Sequence, residues 1–255
     1  MSTLTVTQAL IIAVWVAMVE SRALGYATLT LRFSPLMTGF VVGVVMGDVE
    51  NAMIVTAAIQ LIYMGVVAPG GTLPAEPAIA AAIAVPVALL GDLTPEAAVA
   101  IAVPVGLLGS YLYQFRFFLN TFFTKWMDNA AAKADDRGLN FAIMGIPVII
   151  SFALFIPLTF IALYYGAPQI ADAVKSLEGG PLIHVLQVVG GGLAALGIAV
   201  IMHVIGKKSL LVFFFLAYFM SVSFAPLEIN TVTYAAFGII FAALYLLFTN
   251  KQEGS

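Results

Sequence analysis

Glu76 is the residue whose surroundings ask most for a chemical explanation. It follows Pro69, Gly70, Gly71 and Pro74 and precedes Pro77. Proline removes a backbone donor and clashes with the preceding helical turn, and glycine admits backbone geometry that other residues resist. No continuous helix therefore passes through 69–77. Apolar runs flank the break, at about 52–68 and 78–91. An ionisable group set at membrane depth is a functional hypothesis by default. Its oxygens accept charge-assisted hydrogen bonds, roughly twice as strong as neutral ones, which suits the hydroxyls of a sugar. The other reading is a carboxylate in a solvated loop between two short spans.

Gln60 comes second. It lies in the apolar stretch MIVTAAIQLIYMGVV, and its amide offers two donors and an acceptor. That suits a polyol ligand, and equally a hydrogen bond between helices, worth about 0.6 kcal/mol in a membrane. Thr56 stands one helical turn earlier on the same face, so the two form a polar stripe. Gly71 and Thr72, inside the break, complete the candidate substrate-binding positions: Glu76, Gln60, Thr56, Gly71 and Thr72.

The remaining polar residues invite plainer readings. Asp48 is placed to cap the helix that begins near Ala52, and Glu50 to sit at its solvated end. Glu20 and Arg22 close the first apolar run, as a boundary pair or as solvated charges. The triple Gly190-Gly191-Gly192 lacks the following Lys-Ser/Thr of a phosphate loop, and the small residues at 190, 194 and 197 read as a close-packing surface. His203 reads as an interfacial histidine, and Glu228 and Asn230 as part of a turn.

The elements that position these residues follow from composition. Of 255 residues 62% are apolar and 9% charged, against about 25% charged in a soluble domain. The mean hydropathy is +1.09. A single globular core cannot hide that much apolar surface, and a disordered chain needs the opposite composition, so the solvent is lipid. Apolar runs fall at about 4–19, 35–47, 52–68, 78–91, 97–113, 141–165, 182–206, 209–225 and 232–249. A straight helical span takes about 20 residues. The runs 35–47 and 78–91 are too short for one, which points to re-entrant or discontinuous helices. None alternates as a transmembrane β-barrel requires. The expected fold is an all-α polytopic membrane protein with about nine hydrophobic segments, in a single membrane domain over 1–255.

Positive charge marks the cytoplasmic side. The stretch 114–140 holds Arg116, Lys125, Lys133 and Arg137 among interleaved aromatics, and reads as a cytoplasmic amphipathic connection. With it inside, Arg22, Arg32, Lys207, Lys208 and Lys251 also fall inside, the N-terminus outside and the C-terminus inside. The first run lacks the basic lead of a cleavable signal peptide and reads as a retained segment.

Several chemistries are disfavoured. The net charge of −3 is not the basic footprint of a nucleic-acid binder. There is no cysteine, and His184 and His203 are the only histidines, so neither a disulfide framework nor a metal site is expected. No Walker A motif, nucleophile elbow or HExxH is present, and no cofactor is expected.

From Gly47 to Ala82 the chain resembles the IIC component of the mannose/fructose/sorbose-family sugar phosphotransferase permeases. The resemblance rests on Gly47-Asp48, a polar residue in the next helix at Gln60, and an Ala/Gly/Pro-rich break from Ala68 closing in the acid Glu76. The Gly-Gly-Gly segment, the basic pair Lys207-Lys208 and the aromatic run 213–219 carry it onward, and the order of apolar runs extends it over nearly the whole chain. Family members commonly carry Glu at the position of Gln60 and Asp at that of Glu76. The resemblance implies a sugar-translocating subunit in the bacterial cytoplasmic membrane, for a substrate of the mannose, fructose, sorbose or N-acetylgalactosamine class. It implies a IID membrane partner, trimers of IIC/IID heterodimers, and cytoplasmic IIA and IIB phosphocarriers, with IIB phosphorylating the delivered sugar. The chain itself would hold no phosphorylated histidine. The competing reading from residues alone is a proton- or ion-coupled secondary transporter with Glu76 as its coupling carboxylate.

Overall fold

The computed structural model describes residues 3–64, 75–176, 180–227 and 229–253. These residues are helical with no strand among them. Contacts gather them into two compact units, 1–201 and 202–255.

The first unit begins with α1 (Val6–Glu20), α2 (Ala27–Phe33), α3 (Pro35–Met46) and α4 (Val49–Tyr63). Thr5 opens α1 with a reciprocal capping box to Gln8, which satisfies two orphan N–H groups. Helices α2 and α3 meet at an 82° bend. Ser34 and Pro35 make it: the residue before a proline is driven out of the helical region, and Ser34 is extended at φ −111° and ψ 99°. The run at 35–47, expected as a re-entrant or discontinuous helix, is thus the second member of a sharply bent helix pair. Asp48 caps α4 by accepting from the Asn51 N–H at 3.2 Å, and Glu50 is exposed.

Helices α3 and α4 approach through bare backbone. A side chain on Gly39 would collide with Thr56, and one on Gly43 would come within 2.8 Å of the Ala52 Cβ. Small residues at a four-residue spacing permit such approach between membrane helices, where packing rather than water drives association.

Helix α5 (Pro77–Gly91) is the centre of the unit. Of its 15 residues only Ile83 and Leu89 are less than fully buried. It packs against α3, α4, α6 and α10. At about 1.5 Å per residue it is too short for a straight crossing. An Ala-rich helix, apolar on all sides, is stable where other helices surround it. The run at 78–91 is therefore an interior strut.

Helix α6 (Pro95–Thr121) is long and apolar enough to cross a membrane, as is the helical stretch Asp136–Val174. The latter joins α8 (Asp136–Asn140), α9 (Ile146–Ile161) and α10 (Ala167–Ser176) through π turns at Phe141–Gly145 and Ala162–Gly166. Each π turn lies just ahead of a proline, Pro147 or Pro168. Each proline lacks the N–H its turn would use and crowds the carbonyl four residues back, and the wider turn absorbs both defects. Between α6 and α8, α7 (Thr124–Ala132) carries exposed Trp126 and exposed Lys125. Residues 114–121 belong to α6, so Arg116 lies on a helix long and apolar enough to cross a membrane.

Helix α11 (Pro181–Ile205) follows. A side chain on Gly190 would collide with the Glu96 carbonyl, and one on Gly197 with the Leu61 carbonyl, whereas Gly191 and Gly192 face open space. The second unit holds α12 (Leu211–Ser223) and α13 (Thr231–Glu253). An apolar groove of about 920 Å³ there is lined by residues including Phe213, Met220 and Phe237. Asn230 accepts from the Val232 N–H at 3.1 Å, the self-closing turn typical of Asn.

Candidate functional site

Glu76 occupies the N-cap position of α5 but makes no capping bond with its side chain. The Glu76 backbone N–H donates to the Gly106 carbonyl on α6 at 2.9 Å. The carboxylate turns inward and is fully buried. It is met by the Arg32 guanidinium, whose Nε donates to Oε2 at 2.8 Å and whose Nη2 donates to Oε1. This paired fork is the strong geometry for arginine and carboxylate.

The partner comes from the bend. Arg32 lies in the last turn of α2, just before the chain turns at Ser34, so the bend directs it into the unit. Sequence reading put Arg32 in a cytoplasmic loop; the structure buries it. Glu20, read as a boundary charge beside Arg22, is fully buried too. It pairs with Arg32, with 3.2 Å between Nε and Oε2, and Arg22 is exposed.

Arg116 completes the group. It is buried, donates Nη1 to the Glu20 backbone carbonyl, and stands 3.3 Å from the Ser151 hydroxyl. The carbonyls that end a helix have no partner within it, and a cation there complements the helix dipole. Arg116 thus closes the end of α1. Both guanidiniums lie over the Tyr113 ring, Arg32 at 3.4 Å and Arg116 at 4.2 Å from its centroid, where the electron-rich face attracts a cation.

Glu20, Arg32, Glu76 and Arg116 are all the buried charged side chains among the described residues. Their formal charges sum to zero. The cluster meets the requirement that buried charges be paired. Not every atom in it is satisfied: both Glu20 oxygens, the Arg116 Nε and the nearby Tyr63 hydroxyl are buried without a hydrogen-bond partner. Such groups forgo their hydration for nothing unless something else bonds them.

Gln60 and Thr56 lie on α4. The Gln60 Oε1 accepts from the Leu36 N–H at 3.4 Å, one of the donors orphaned where α3 begins. The Thr56 hydroxyl donates to the Ala52 carbonyl one turn back and is fully buried against Gly39. Tyr63 continues the same face, and its hydroxyl fills the space that the bare Gly106 leaves. Gly71 and Thr72 lie outside the described residues. The structure therefore brings Glu76, Arg32 and Glu20 together and ties Gln60 to the neighbouring bend.

From sequence, Glu20, Arg32 and Arg116 read as boundary or cytoplasmic charges rather than site residues, and Tyr113 carries no reading. One signal for α6 was available: Gly106, Gly109, Tyr113 and Arg116 fall at helical spacing on one face, all of them buried. Gly109 is bare because the Glu76 Cβ and Ile79 press within about 3.1 Å of where its own Cβ would stand.

A profile of the family described as "PTS system sorbose-specific iic component" matches residues 6–244. The PTS system sorbose-specific EIIC component of Klebsiella pneumoniae is 24% identical over 212 residues, covering 83% of this chain and 78% of that protein. The PTS system mannose-specific EIIC component of Escherichia coli (strain K12) is 26% identical over 223 residues, covering 86% and 81%. A solved structure described as that of a membrane protein superposes with a TM-score of 0.69 at 23% identity, covering 97% of this chain and 96% of the other. A chain from the cryo-EM structure of the mannose transporter ManYZ with microcin E492 gives 0.56 at 18% identity, covering 96% and 97%. At these identities the structural likeness speaks for the fold.

Proposed function

This chain belongs to the family of sorbose-specific IIC components of sugar phosphotransferase systems, and on that premise we propose that it binds a hexose or amino sugar and delivers it across the bacterial cytoplasmic membrane to a IIB protein for phosphorylation. The observation that carries this reading is the buried carboxylate of Glu76 at a helix break, beside a second break that Gln60 bridges. Broken helices expose backbone and polar groups at membrane depth, and transporter substrate sites are commonly built there.

In this reading the sugar hydroxyls meet Glu76 and the Gln60 amide, with Thr56, Gly71 and Thr72 completing the site. Gln60 has its oxygen engaged at the bend, so its NH₂ group is the part presented to a ligand. Membrane partnership with a IID chain, in trimers of heterodimers, belongs to the same reading, as do the cytoplasmic IIA and IIB carriers. Helix α12 is apolar and has no buried residue, which leaves surface for a partner in the bilayer. The chain acts as one membrane domain over 1–255, with its N-terminus outside, its C-terminus inside and the connection that follows α6, up to residue 140, on the cytoplasmic side. Sugar uptake into right-side-out vesicles tests this. Phosphorylated sugar inside, dependent on IIB and phosphoenolpyruvate, is the expected product; accumulation of unmodified sugar without IIB would refute it.

A further inference from the structure

While each of its oxygens holds Arg32, Glu76 offers a sugar only the remaining lone pair on each oxygen, weakened as an acceptor by the guanidinium charge. The same guanidinium has a second carboxylate at hand. Arg32 Nε is 2.8 Å from Glu76 Oε2 and 3.2 Å from Glu20 Oε2. One acid has the aligned hydrogen bonds; the other has only proximity. Glu20 is fully buried, and both its oxygens lack a hydrogen-bond donor. A carboxylate taken out of water and left unbonded has much to gain from a donor.

We propose that Glu20 is a positioning residue that takes over Arg32 when sugar arrives, so that the Glu76 carboxylate is released to the sugar hydroxyls. This inference rests on the reading of Glu76 as a sugar ligand.

Three features make the exchange short and inexpensive. Arg32 lies in the last turn of a seven-residue helix that stops at a bend, where few backbone bonds resist a small shift. The Tyr113 ring lies beneath its guanidinium, and cation–π attraction is tolerant of a sliding cation. The Glu76 backbone is anchored to Gly106 through its N–H, which leaves the side chain free to turn without moving α5. The exchange creates no net charge. Before it, Arg32 serves Glu76 and Glu20 waits; after it, Arg32 serves Glu20 and the sugar donates to Glu76. The number of satisfied carboxylates rises by one, and that gain belongs to the bound state.

The test uses the whole membrane complex with sorbose, mannose, fructose and N-acetylgalactosamine as probes, taking the one that wild type binds most tightly. Wild type, Glu20→Gln, Glu20→Asp, Glu76→Gln and the Glu20→Gln/Glu76→Gln double variant are compared by calorimetry and by phosphorylation kinetics. Glu20→Gln is expected to weaken binding tenfold or more and to raise KM while leaving kcat within twofold. Glu20→Asp retains the charge but withdraws it by one methylene, and should weaken binding less, about threefold. The double variant should bind no worse than Glu76→Gln alone, since both changes remove one step. A purely structural Glu20 would lower the yield of assembled complex and leave the KM of the surviving complex unchanged; that outcome in either Glu20 variant overturns the proposal. So does full additivity in the double variant. If Glu76→Gln binds as wild type does, or if no probe binds wild type, the sugar-ligand reading fails and the exchange fails with it. Loss in Glu76→Gln with wild-type affinity in both Glu20 variants overturns the exchange alone.

Discussion

Arg116 on α6 donates a hydrogen bond to the backbone carbonyl of Glu20, so one side chain ends α1 and joins the buried charge cluster at once. The consequence is mechanical as well as electrostatic. Its second partner, the Ser151 hydroxyl, lies on α9 and donates back to the Pro147 carbonyl at 2.6 Å. Three helices thus share one guanidinium. Arg116→Gln should destabilise the protein by about 2–4 kcal/mol, from a lost buried charge-assisted bond and an orphaned carbonyl. Arg116→Lys should recover part of that, since Nη1 alone makes both bonds and an ammonium keeps that charge but not the planar face over Tyr113. Thermal unfolding in detergent reads both.

Arg32 is the sole cation within ion-pair distance of Glu76 among the described residues. Arg32→Met leaves two buried carboxylates without it and should cost about 3–5 kcal/mol, seen as loss of assembled protein. Arg32→Met combined with Glu76→Met removes a charge of each sign and should restore most of the yield. A double variant no better than the single would show that the pair is not what the fold requires.

Gly190 and Gly191 are neighbours in sequence and opposite in consequence. A methyl on Gly190 meets the Glu96 carbonyl, and overpacking of this kind costs about 1–3 kcal/mol. A methyl on Gly191 meets nothing within 4 Å, and a helical alanine is favoured over glycine by about 0.8–1 kcal/mol. Gly190→Ala should lower the midpoint of thermal unfolding and Gly191→Ala should leave it unchanged or raise it.

Tyr63 carries a buried hydroxyl without a hydrogen-bond partner. Tyr63→Phe removes an unsatisfied group and fills nearly the same volume, so stability should hold or improve by up to about 1 kcal/mol. If sugar binding weakens in that variant while the unfolding midpoint does not fall, the hydroxyl finds its partner in the ligand.

The chain has no native cysteine, which makes sidedness easy to read. Cysteines placed at Lys125 and Lys133, both exposed, should react with an impermeant maleimide only in inside-out vesicles. Labelling in right-side-out vesicles would reverse the assigned orientation.

Much of this fold was legible because lipid imposes simple rules. Apolar runs gave helices, the runs too short to span became a bent pair and an interior strut, and the Pro/Gly break ended in a buried acid. Asp48 capped its helix and Gly190 served packing, both as their local sequence suggests. The cluster itself was half legible. Glu76 stood out because prolines and glycines surround it. Its partners did not, because charge alone does not tell an arginine snorkelling to the interface from one directed inward. Arg32 faces inward because of the bend at Ser34, and Arg116 because α6 runs on to Thr121; both are tertiary facts. Glu20 looked like a helix-end charge, which it is, but the end it occupies lies inside the unit. The glycine stripe Gly39, Gly43 carries a packing signal that becomes decisive only once α4 is known to lie against it.

The balance of two acids and two bases in the core has a further consequence for energetics. A single elementary charge carried through 100 mV of membrane potential exchanges about 2.3 kcal/mol with the field. A body bearing Glu20, Arg32, Glu76 and Arg116 together, at their formal charges, exchanges none when it translates as a unit. The resting voltage of the cell neither pushes nor holds it, and the direction of such a movement is left to the ligand and to whatever chemistry consumes that ligand on the far side.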